Sequence, residues 1–255
     1  MSDAKIEFQE FDLDWNTLKG LPKNHLVVFS VVSFAVSEVN ALRKLFLAQN
    51  HPYTKIPSID SAGNIARFVL LRTWSAKLFE FLEFLKSIEK RKNDAIISEL
   101  SRDSQHQVNN LAKGEGYEVA RCLRHETANH YSFDAAIKNY PHISEDGDFN
   151  LYTHNFGGND FFPIGEELMF NARLNRKWRN IPEKQERDRL FNDWLGWCLE
   201  MTDALVLIHA RFAHGLIFVP LGRNDMKETC YQLPDYLVGD LYDVIVPIFT
   251  ERAGA

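Results

Sequence analysis

The sequence predicts a mostly α protein, arranged as an antiparallel helical bundle with a small β-hairpin insertion near residues 141–163. Three observations lead to this fold class. Apolar residues recur at three- and four-residue spacing over 65–88, which is the period of a helix with one buried face. The segments 25–49 and 183–214 carry further long apolar helical patterns. Between 141 and 163 the pattern changes to a loose alternation with glycine-containing turn signals, as in a hairpin.

The expected elements follow from where these patterns begin and end. Pro22 and Asn24 are typical of a helix start, and Pro, Ser and Gly content is typical of a loop. The predicted order is an extended N-terminal arm, a helix over 25–49, a loop over 51–64, helices over 65–88, 94–112 and 117–131, the β insertion, helices over 164–175 and 183–214, and a short helix within 233–249.

The composition favours one large domain spanning residues 1–255. Hydrophobic residues make up 45% of the chain, charged residues make up 25%, and Phe alone occurs 19 times, which is enough apolar volume for a sizeable core. The net charge of −6 argues against a protein that covers nucleic-acid phosphates with its whole surface. A local basic cleft is still compatible with that charge.

Cysteine usage and the apolar segments favour a cytoplasmic protein with no membrane partner. The N-terminal segment is acidic where a signal peptide would be positively charged. The apolar stretch 26–36 is too short to span a bilayer, and 204–220 is interrupted by Arg211 and two histidines, so both are expected to be buried helices. The cysteines form no CxxC pair, as expected in a reducing compartment: Cys122, Cys198 and Cys230.

The stretch RCLRHETANHY, residues 121–131, holds the candidate reaction centre. A zinc-protease helix carries histidines four residues apart, because such a pair shares one face and can hold one ion. Here His130 comes five residues after His125, which puts the two about 140° apart on a helix, and Asn129 stands where the second ligand would be needed. The sequence therefore predicts no metal site and no cofactor.

The string Arg124-His125 followed by His130 resembles the R-x(4–6)-H motif of the HEPN superfamily, in which a polar residue directly follows the Arg. The gap here is five residues, and the polar residue is His where the family often has Asn. The order of elements is also similar, with long helices followed by the motif helix and a short excursion. The similarity covers roughly residues 60–140, and it implies a HEPN-like core over about 25–140 followed, after the β insertion, by a helical region over 164–255.

The resemblance implies a metal-independent endoribonuclease. In HEPN ribonucleases two copies of the motif meet across a homodimer, and the 2′-OH of RNA is the nucleophile. It implies that His130 is the general acid/base, that Arg124 stabilises transition-state charge, and that His125 holds the phosphate or orients Arg124. The chemistry agrees, because an imidazole titrates near neutral pH and a guanidinium matches phosphate oxygens. Neighbouring residues are expected to contact substrate: Arg121, Glu126, Asn129 and Tyr131.

The spacing of the motif also favours a dimeric site. On one straight helix Arg124 and His130 lie about 120° apart and ~9 Å along the axis, so one phosphate is hard to reach from both. Two such helices about a two-fold axis can share one cleft. The geometry thus favours a second copy of the chain as a partner, and the resemblance to HEPN proteins, which often act in toxin–antitoxin or phage-defence systems, implies RNA and a cognate antitoxin or inhibitor protein as further partners.

A second basic stretch, ARLNRKWRN at 172–180, interleaves cations with an aromatic ring. Such a stretch can follow a single-stranded phosphate backbone and stack a base. It can equally be a solvated helix end with cations near its negative pole. The candidate RNA-binding residues are Arg176, Lys177, Trp178 and Arg179, next to Arg173.

Less specific interpretations of these segments stay open. The motif can be the polar face of an ordinary helix, with Glu126 and His130 as a pair four residues apart. In that case the chain is a non-catalytic helical binding module for a protein or nucleotide partner. Cys198 is expected in the core, and His209 and His214 are expected to be buried, hydrogen-bonded histidines of a core helix.

Overall fold

The structure is a computed structural model, and it describes residues 3–90, 94–126, 132–155, 157–178, 184–223, 226–234, 238–239 and 246–250. Over these ranges the protein is mostly helical, as predicted. The helices are α1 Trp15–Leu18, α2 Lys23–Leu47, α3 Pro57–Glu89, α4 Ala95–Val108, α5 Glu115–Glu126, α6 Phe133–Asn139, α7 Pro163–Glu166, α8 Ala172–Trp178, α9 Lys184–Ala213 and α10 Val219–Leu221. Two five-residue π-helical segments, Glu167–Asn171 and His214–Phe218, join α7 to α8 and α9 to α10.

Helix starts follow local capping chemistry. Asp14 accepts a hydrogen bond from the Thr17 N–H at 2.9 Å, and Ser132 accepts one from the Ala135 N–H at 3.2 Å, so each side chain satisfies an amide of the first turn. The predicted loop over 51–64 is wrong in its second half, because α3 already begins at Pro57. Proline is favoured at the first helical position, where its missing N–H costs nothing.

Helix α3 lies at the centre of the hydrophobic core. It contacts α2, α4, α5 and α9, and its residues Leu71, Trp74, Leu78 and Leu85 are fully buried, as their helical spacing predicts. The Trp74 indole N–H donates to the Thr202 hydroxyl at 3.0 Å, which ties α3 to α9.

The turn of α9 beneath that contact is also part of the core. The Thr202 hydroxyl donates in turn to the Cys198 carbonyl at 2.7 Å. Cys198 is itself fully buried, which raises the pKa of its thiol well above its usual value. The prediction that Cys198 belongs to the core is confirmed.

A partly buried ion pair ties α3 to α7. The Arg72 guanidinium binds both carboxylate oxygens of Glu166, at 2.5 and 2.9 Å, with the two side chains only 12% and 20% exposed. The same guanidinium lies 5.2 Å from the centre of the Phe170 ring in the π-helical turn. This pair fixes the start of the segment that carries α8.

The described residues form a two-stranded antiparallel sheet that the sequence did not predict. Strands β1 Asp3–Glu10 and β2 Lys227–Pro234 pair along their whole length, from Asp3 opposite Pro234 to Glu10 opposite Lys227. Phe8 and Tyr231 contact each other edge to face, with ring centres 6.0 Å apart. The extended N-terminal arm was expected, but its partner strand was not.

The predicted hairpin over 141–163 is wrong in its detail. The described part of this segment contains an isolated antiparallel bridge, Tyr152 to Phe161, and two short 3₁₀ turns rather than paired strands. The two bridge rings stack with centres 4.5 Å apart. The side-chain amide of Asn159 binds the backbone of Thr250. It donates to the Thr250 carbonyl at 2.8 Å and accepts from the Thr250 N–H at 2.9 Å, as the backbone of a paired strand would.

Most of the segment 233–249, where a short helix was expected, lies outside the described residues. Leu233 and Pro234 end β2, and 246–249 has no helical turn. Among the described residues, two helices are long and apolar enough to cross a membrane by length and composition alone, Lys23–Leu47 and Arg187–Leu221. Both contribute buried residues to the core shared with α3.

Candidate functional site

The first half of the motif stretch lies on α5, which packs tightly against α9. Val119, Ala120 and Leu123 face the core and are at most 1% exposed. Gly116 makes this approach possible, because a Cβ there would lie 2.1 Å from the Asp193 carbonyl oxygen. The core face of α5 is therefore fixed, and its other faces carry the arginines.

Arg124 is positioned by an aromatic ring. Its guanidinium carbon lies 5.6 Å from the centre of the Phe79 ring, and its side chain is partly exposed. Phe79 is buried and packs against the rings of Tyr117 and Trp197, each 5.2 Å away centre to centre. Among the described residues no carboxylate or carbonyl binds the Arg124 guanidinium, so its charge and its donors are uncompensated there.

Arg121, one turn earlier, has a different environment. It is exposed, and its guanidinium forms an ion pair with Glu118 at 2.6 Å. The hydrogen bond and charge of Glu118 raise the pKa of Arg121, so this arginine stays protonated and paired. Of the two arginines on α5, Arg124 is the one whose donors are unused within the described structure.

The C-terminal end of α5 is held by a cation from α8. Arg173 is 5% exposed and donates two hydrogen bonds to the Cys122 carbonyl, at 3.0 Å from Nε and 2.5 Å from Nη2. The second basic stretch is therefore joined directly to the motif helix, which the sequence did not indicate.

The other candidates on α8 differ in exposure. Lys177 is exposed, Arg176 is partly exposed, and Trp178 packs partly against the hydrophobic core. Lys177 is thus available to a phosphate, while part of the Trp178 ring is committed to packing. Four candidates lie outside the described residues: Asn129, His130, Tyr131 and Arg179. The side chains of His125 and Glu126 lie outside them too.

His209 on α9 and His214 on its π-helical extension were both expected to be buried and hydrogen-bonded, but their environments differ. His209 is partly buried, with Nε2 at hydrogen-bond distance, 3.0 Å, from the Ser33 hydroxyl, and burial lowers its pKa. His214 is exposed, so the prediction of a buried histidine is wrong there. Within the described ranges, no group of three or more His, Cys, Asp or Glu residues is placed to hold a metal ion.

A cavity that the sequence did not indicate lies between α3, α8 and α9. Its volume is about 350 Å³, and Arg67, Phe170, Phe191 and Trp194 are among the residues that line it. The sequence offers only a weak signal for it, since Arg67 is one of two arginines in the apolar run of α3, the other being Arg72. Val119 of α5 also lines this cavity, on the core side of the motif helix.

No protein-family model, no curated protein and no solved structure matches this chain.

Proposed function

We propose that this protein is a metal-independent endoribonuclease of the HEPN type. The observation that carries the proposal is the uncompensated guanidinium of Arg124, held against Phe79 on the helix that leads into the rest of the motif. A catalytic arginine for phosphate chemistry needs a fixed position and unused donors, and Arg124 has both among the described residues.

The chemistry follows from the residue types. His130 accepts the proton of the 2′-OH, and that oxygen attacks the adjacent phosphorus, so the bond to the 5′-oxygen of the next nucleotide breaks. The leaving oxygen takes a proton, which gives a 5′-hydroxyl end and a 2′,3′-cyclic phosphate end. Arg124 stabilises the charge that builds on the phosphoryl oxygens, and His125 holds the phosphate or orients Arg124.

The surroundings of Arg124 support an RNA ligand. Arg121 lies one turn away on the same helix, and Lys177 lies on α8, which Arg173 ties to the end of α5. These cations form a local basic region on a protein whose net charge is −6. We assign Arg121, Arg176 and Lys177 to binding of the RNA backbone rather than to chemistry.

The proposal also covers the oligomeric state of the protein, its location and its protein partner. Helices α2 and α3 pack together and are joined by 48–56, and α3 and α4 by 90–94. Short connections between packed helices favour an antiparallel bundle. In such a bundle, a homodimer about a two-fold axis near α5 brings two motifs to one cleft. We place this dimer in the cytoplasm, with a cognate antitoxin or inhibitor.

The test is growth inhibition on induced expression, combined with profiles of cellular RNA. The wild type is compared with Arg124→Ala and His130→Ala, and Arg211→Ala serves as the matched control because Arg211 is exposed on α9. We expect toxicity and new RNA ends from the wild type and the control, and neither from the two motif variants. Wild-type protein that is expressed and folded yet leaves RNA intact contradicts the proposal.

One observation favours the second candidate function, a non-catalytic helical binding module. The cavity lined by Arg67 and aromatic rings is well formed and lies apart from the exposed face of α5. Small-molecule sites in proteins are typically cavities of about this size, apolar with a few polar groups. Under this alternative, ligand binding is the activity, and the motif variants leave it unchanged.

A further inference from the structure

The lining of the cavity between α3, α8 and α9 combines four aromatic rings with a partly buried cation, Arg67, among other polar and aliphatic side chains. Its volume of about 350 Å³ falls in the range of small-molecule sites, roughly 300–1,000 Å³. The residues that matter for the argument are Asn64, Arg67, Phe68, Phe170, Phe191 and Trp194.

Arg67 is a half-buried cation without an anionic partner among the described residues. Its guanidinium carbon lies 5.3 Å from the centre of the Phe46 ring and 6.0 Å from that of Phe191. Its Nε is buried and makes no hydrogen bond to the described residues. Burial lowers the pKa of the guanidinium. Because the ordinary pKa of an arginine is so high, Arg67 still carries its charge. A charge that is partly withdrawn from water and has no counter-ion is costly, and an anionic ligand that pairs with it offsets that cost.

Trp194 provides a second unused donor at the same cavity. Three tryptophans are buried in the described structure, and two of them donate their indole N–H, Trp74 to Thr202 at 3.0 Å and Trp197 to the Leu111 carbonyl at 2.8 Å. Trp194 is 1% exposed, lines the cavity, and finds no acceptor for its indole N–H among the described residues. Buried donors are nearly always satisfied, so this one points to an acceptor that a ligand brings.

The other charged residues around the cavity do not neutralise the positive charge of Arg67. Arg187 and Asp188 also line the cavity, so the lining carries two arginines and one aspartate. Asp60 lies across a smaller adjoining cavity, where its Oδ1 accepts from the Thr54 N–H and hydroxyl, each at 2.8 Å. His51 lines that smaller cavity too, and both burial and the charge of Arg67 lower its pKa, which keeps it neutral.

We propose that this cavity binds a small molecule that joins a flat aromatic ring to one terminal anionic group, a carboxylate or a phosphate. The anionic group binds Arg67, the ring packs among Phe68, Phe170 and Phe191, and the Trp194 indole N–H donates to an acceptor on the ligand. The proposal goes beyond RNA cleavage and does not depend on it, because none of these residues belongs to the motif.

The test measures binding to the full-length protein by calorimetry, with two matched pairs of probes. One pair is 2-naphthoate and its neutral analogue 2-naphthalenemethanol, and the other is AMP and adenosine. We expect the anionic member of at least one pair to bind at least ~10-fold more tightly than the neutral member, since a charge-assisted hydrogen bond is lost without the anion. The pair that shows the preference identifies carboxylate or phosphate. Equal affinities in both pairs, or no binding at all, overturn the proposal.

Variants then assign the contacts. Arg67→Met should weaken binding of the preferred anion at least ~10-fold and leave the neutral probe unchanged. Arg43→Met is the matched control, because Arg43 pairs with Asp203 at 2.9 Å at the surface, and it should bind like the wild type. Trp194→Phe keeps a ring and removes the N–H, so a several-fold loss is expected. Anion binding unaltered in both Arg67→Met and Trp194→Phe overturns the proposal, and the wild-type probe pairs decide the matter if a variant fails to fold.

Discussion

The guanidinium of Arg124 stacks against Phe79 with 5.6 Å between the guanidinium carbon and the ring centre, while Arg121 on the same helix is tied to Glu118 at 2.6 Å. A ring holds an arginine in place without neutralising it, whereas the Glu118 carboxylate pairs with the charge of Arg121 and accepts from its Nε and Nη2, which leaves the remaining N–H groups of Arg121 for a surface contact. The two arginines of α5 are therefore suited to different tasks. Arg124 is suited to transition-state charge stabilisation, and Arg121 to a surface contact with substrate.

The first prediction separates these two roles with purified protein and a defined RNA. Arg124→Ala and His130→Ala should each lower kcat by about 10²–10⁴-fold, the usual contribution of a charge-stabilising donor or a general acid/base. Arg121→Ala is the control on the same helix and should mainly raise KM. The products should end in 2′,3′-cyclic phosphate, and the rate should survive EDTA. An Arg124→Ala variant as active as the wild type would rule out the assigned role.

The second prediction concerns assembly. If two motifs share one cleft, the protein should be a two-fold dimer at micromolar concentration, with residues 117–131 of both copies near the axis. Light scattering gives the mass. Mixing Arg124→Ala with His130→Ala subunits should change the specific activity from that of either variant alone. A monomer that cleaves RNA at full rate contradicts the shared cleft.

Most of the helical core was predictable because burial follows the helical period. Most of the residues of α3 that the spacing placed on one face are buried, Leu71, Trp74 and Leu78 among them, and the helix predicted over 183–214 is α9, Lys184–Ala213. A long amphipathic helix encodes its own packing face, so periodicity alone suffices. The predictions failed where a contact joins residues that are distant in sequence.

Strand β2 is the clearest failure of this kind. Its sequence, KETCYQLP, has little alternation. It forms a strand because it pairs along its whole length with β1, which lies more than 200 residues earlier in the chain. Contacts between residues distant in sequence also explain why the environment of the candidate site was not predicted. Residue type and spacing do not reveal that Arg173 binds the Cys122 carbonyl, or that Arg67 has no anionic partner among the described residues. The motif arginine was visible in the sequence, but the ring beneath it was not.

The third prediction uses the ion pair between Arg72 and Glu166. Because these side chains are 12% and 20% exposed, Glu166→Ala leaves a mostly buried guanidinium without its carboxylate. We expect a loss of about 3–5 kcal/mol in the free energy of unfolding, measured by urea denaturation. Glu118→Ala breaks an exposed pair and should cost under ~1 kcal/mol. Equal effects of the two substitutions would show that burial does not set the strength of the pair.

The fourth prediction concerns pH. Burial lowers the pKa of His209 in the folded state below its unfolded value near 6.5, so the unfolded chain binds the proton more readily. Stability should therefore fall as pH drops from the unfolded pKa towards the lower folded pKa, and it should level off below that. His209→Gln, which keeps a polar partner for Ser33, should remove this part of the dependence. The check is the difference between wild type and variant in urea midpoint from pH 7.5 to 5, and parallel curves would exclude His209 as the cause.

The fifth prediction tests the packing that fixes the motif helix. At Gly116 an added Cβ would lie 2.1 Å from the Asp193 carbonyl oxygen and 2.9 Å from the Trp197 Cβ, so Gly116→Ala must push α5 away from α9. We expect a loss of about 3 kcal/mol in the free energy of unfolding, together with lower RNA cleavage, because Arg124 moves with the helix. Gly196→Ala on α9 is the matched control, since nothing lies within 4 Å of its added Cβ. In a helix interior that exchange should stabilise the protein by roughly 0.5–1 kcal/mol. If Gly116→Ala is as stable as Gly196→Ala, then α5 and α9 do not approach as closely as the structure shows, and the placement of Arg124 over Phe79 fails with it.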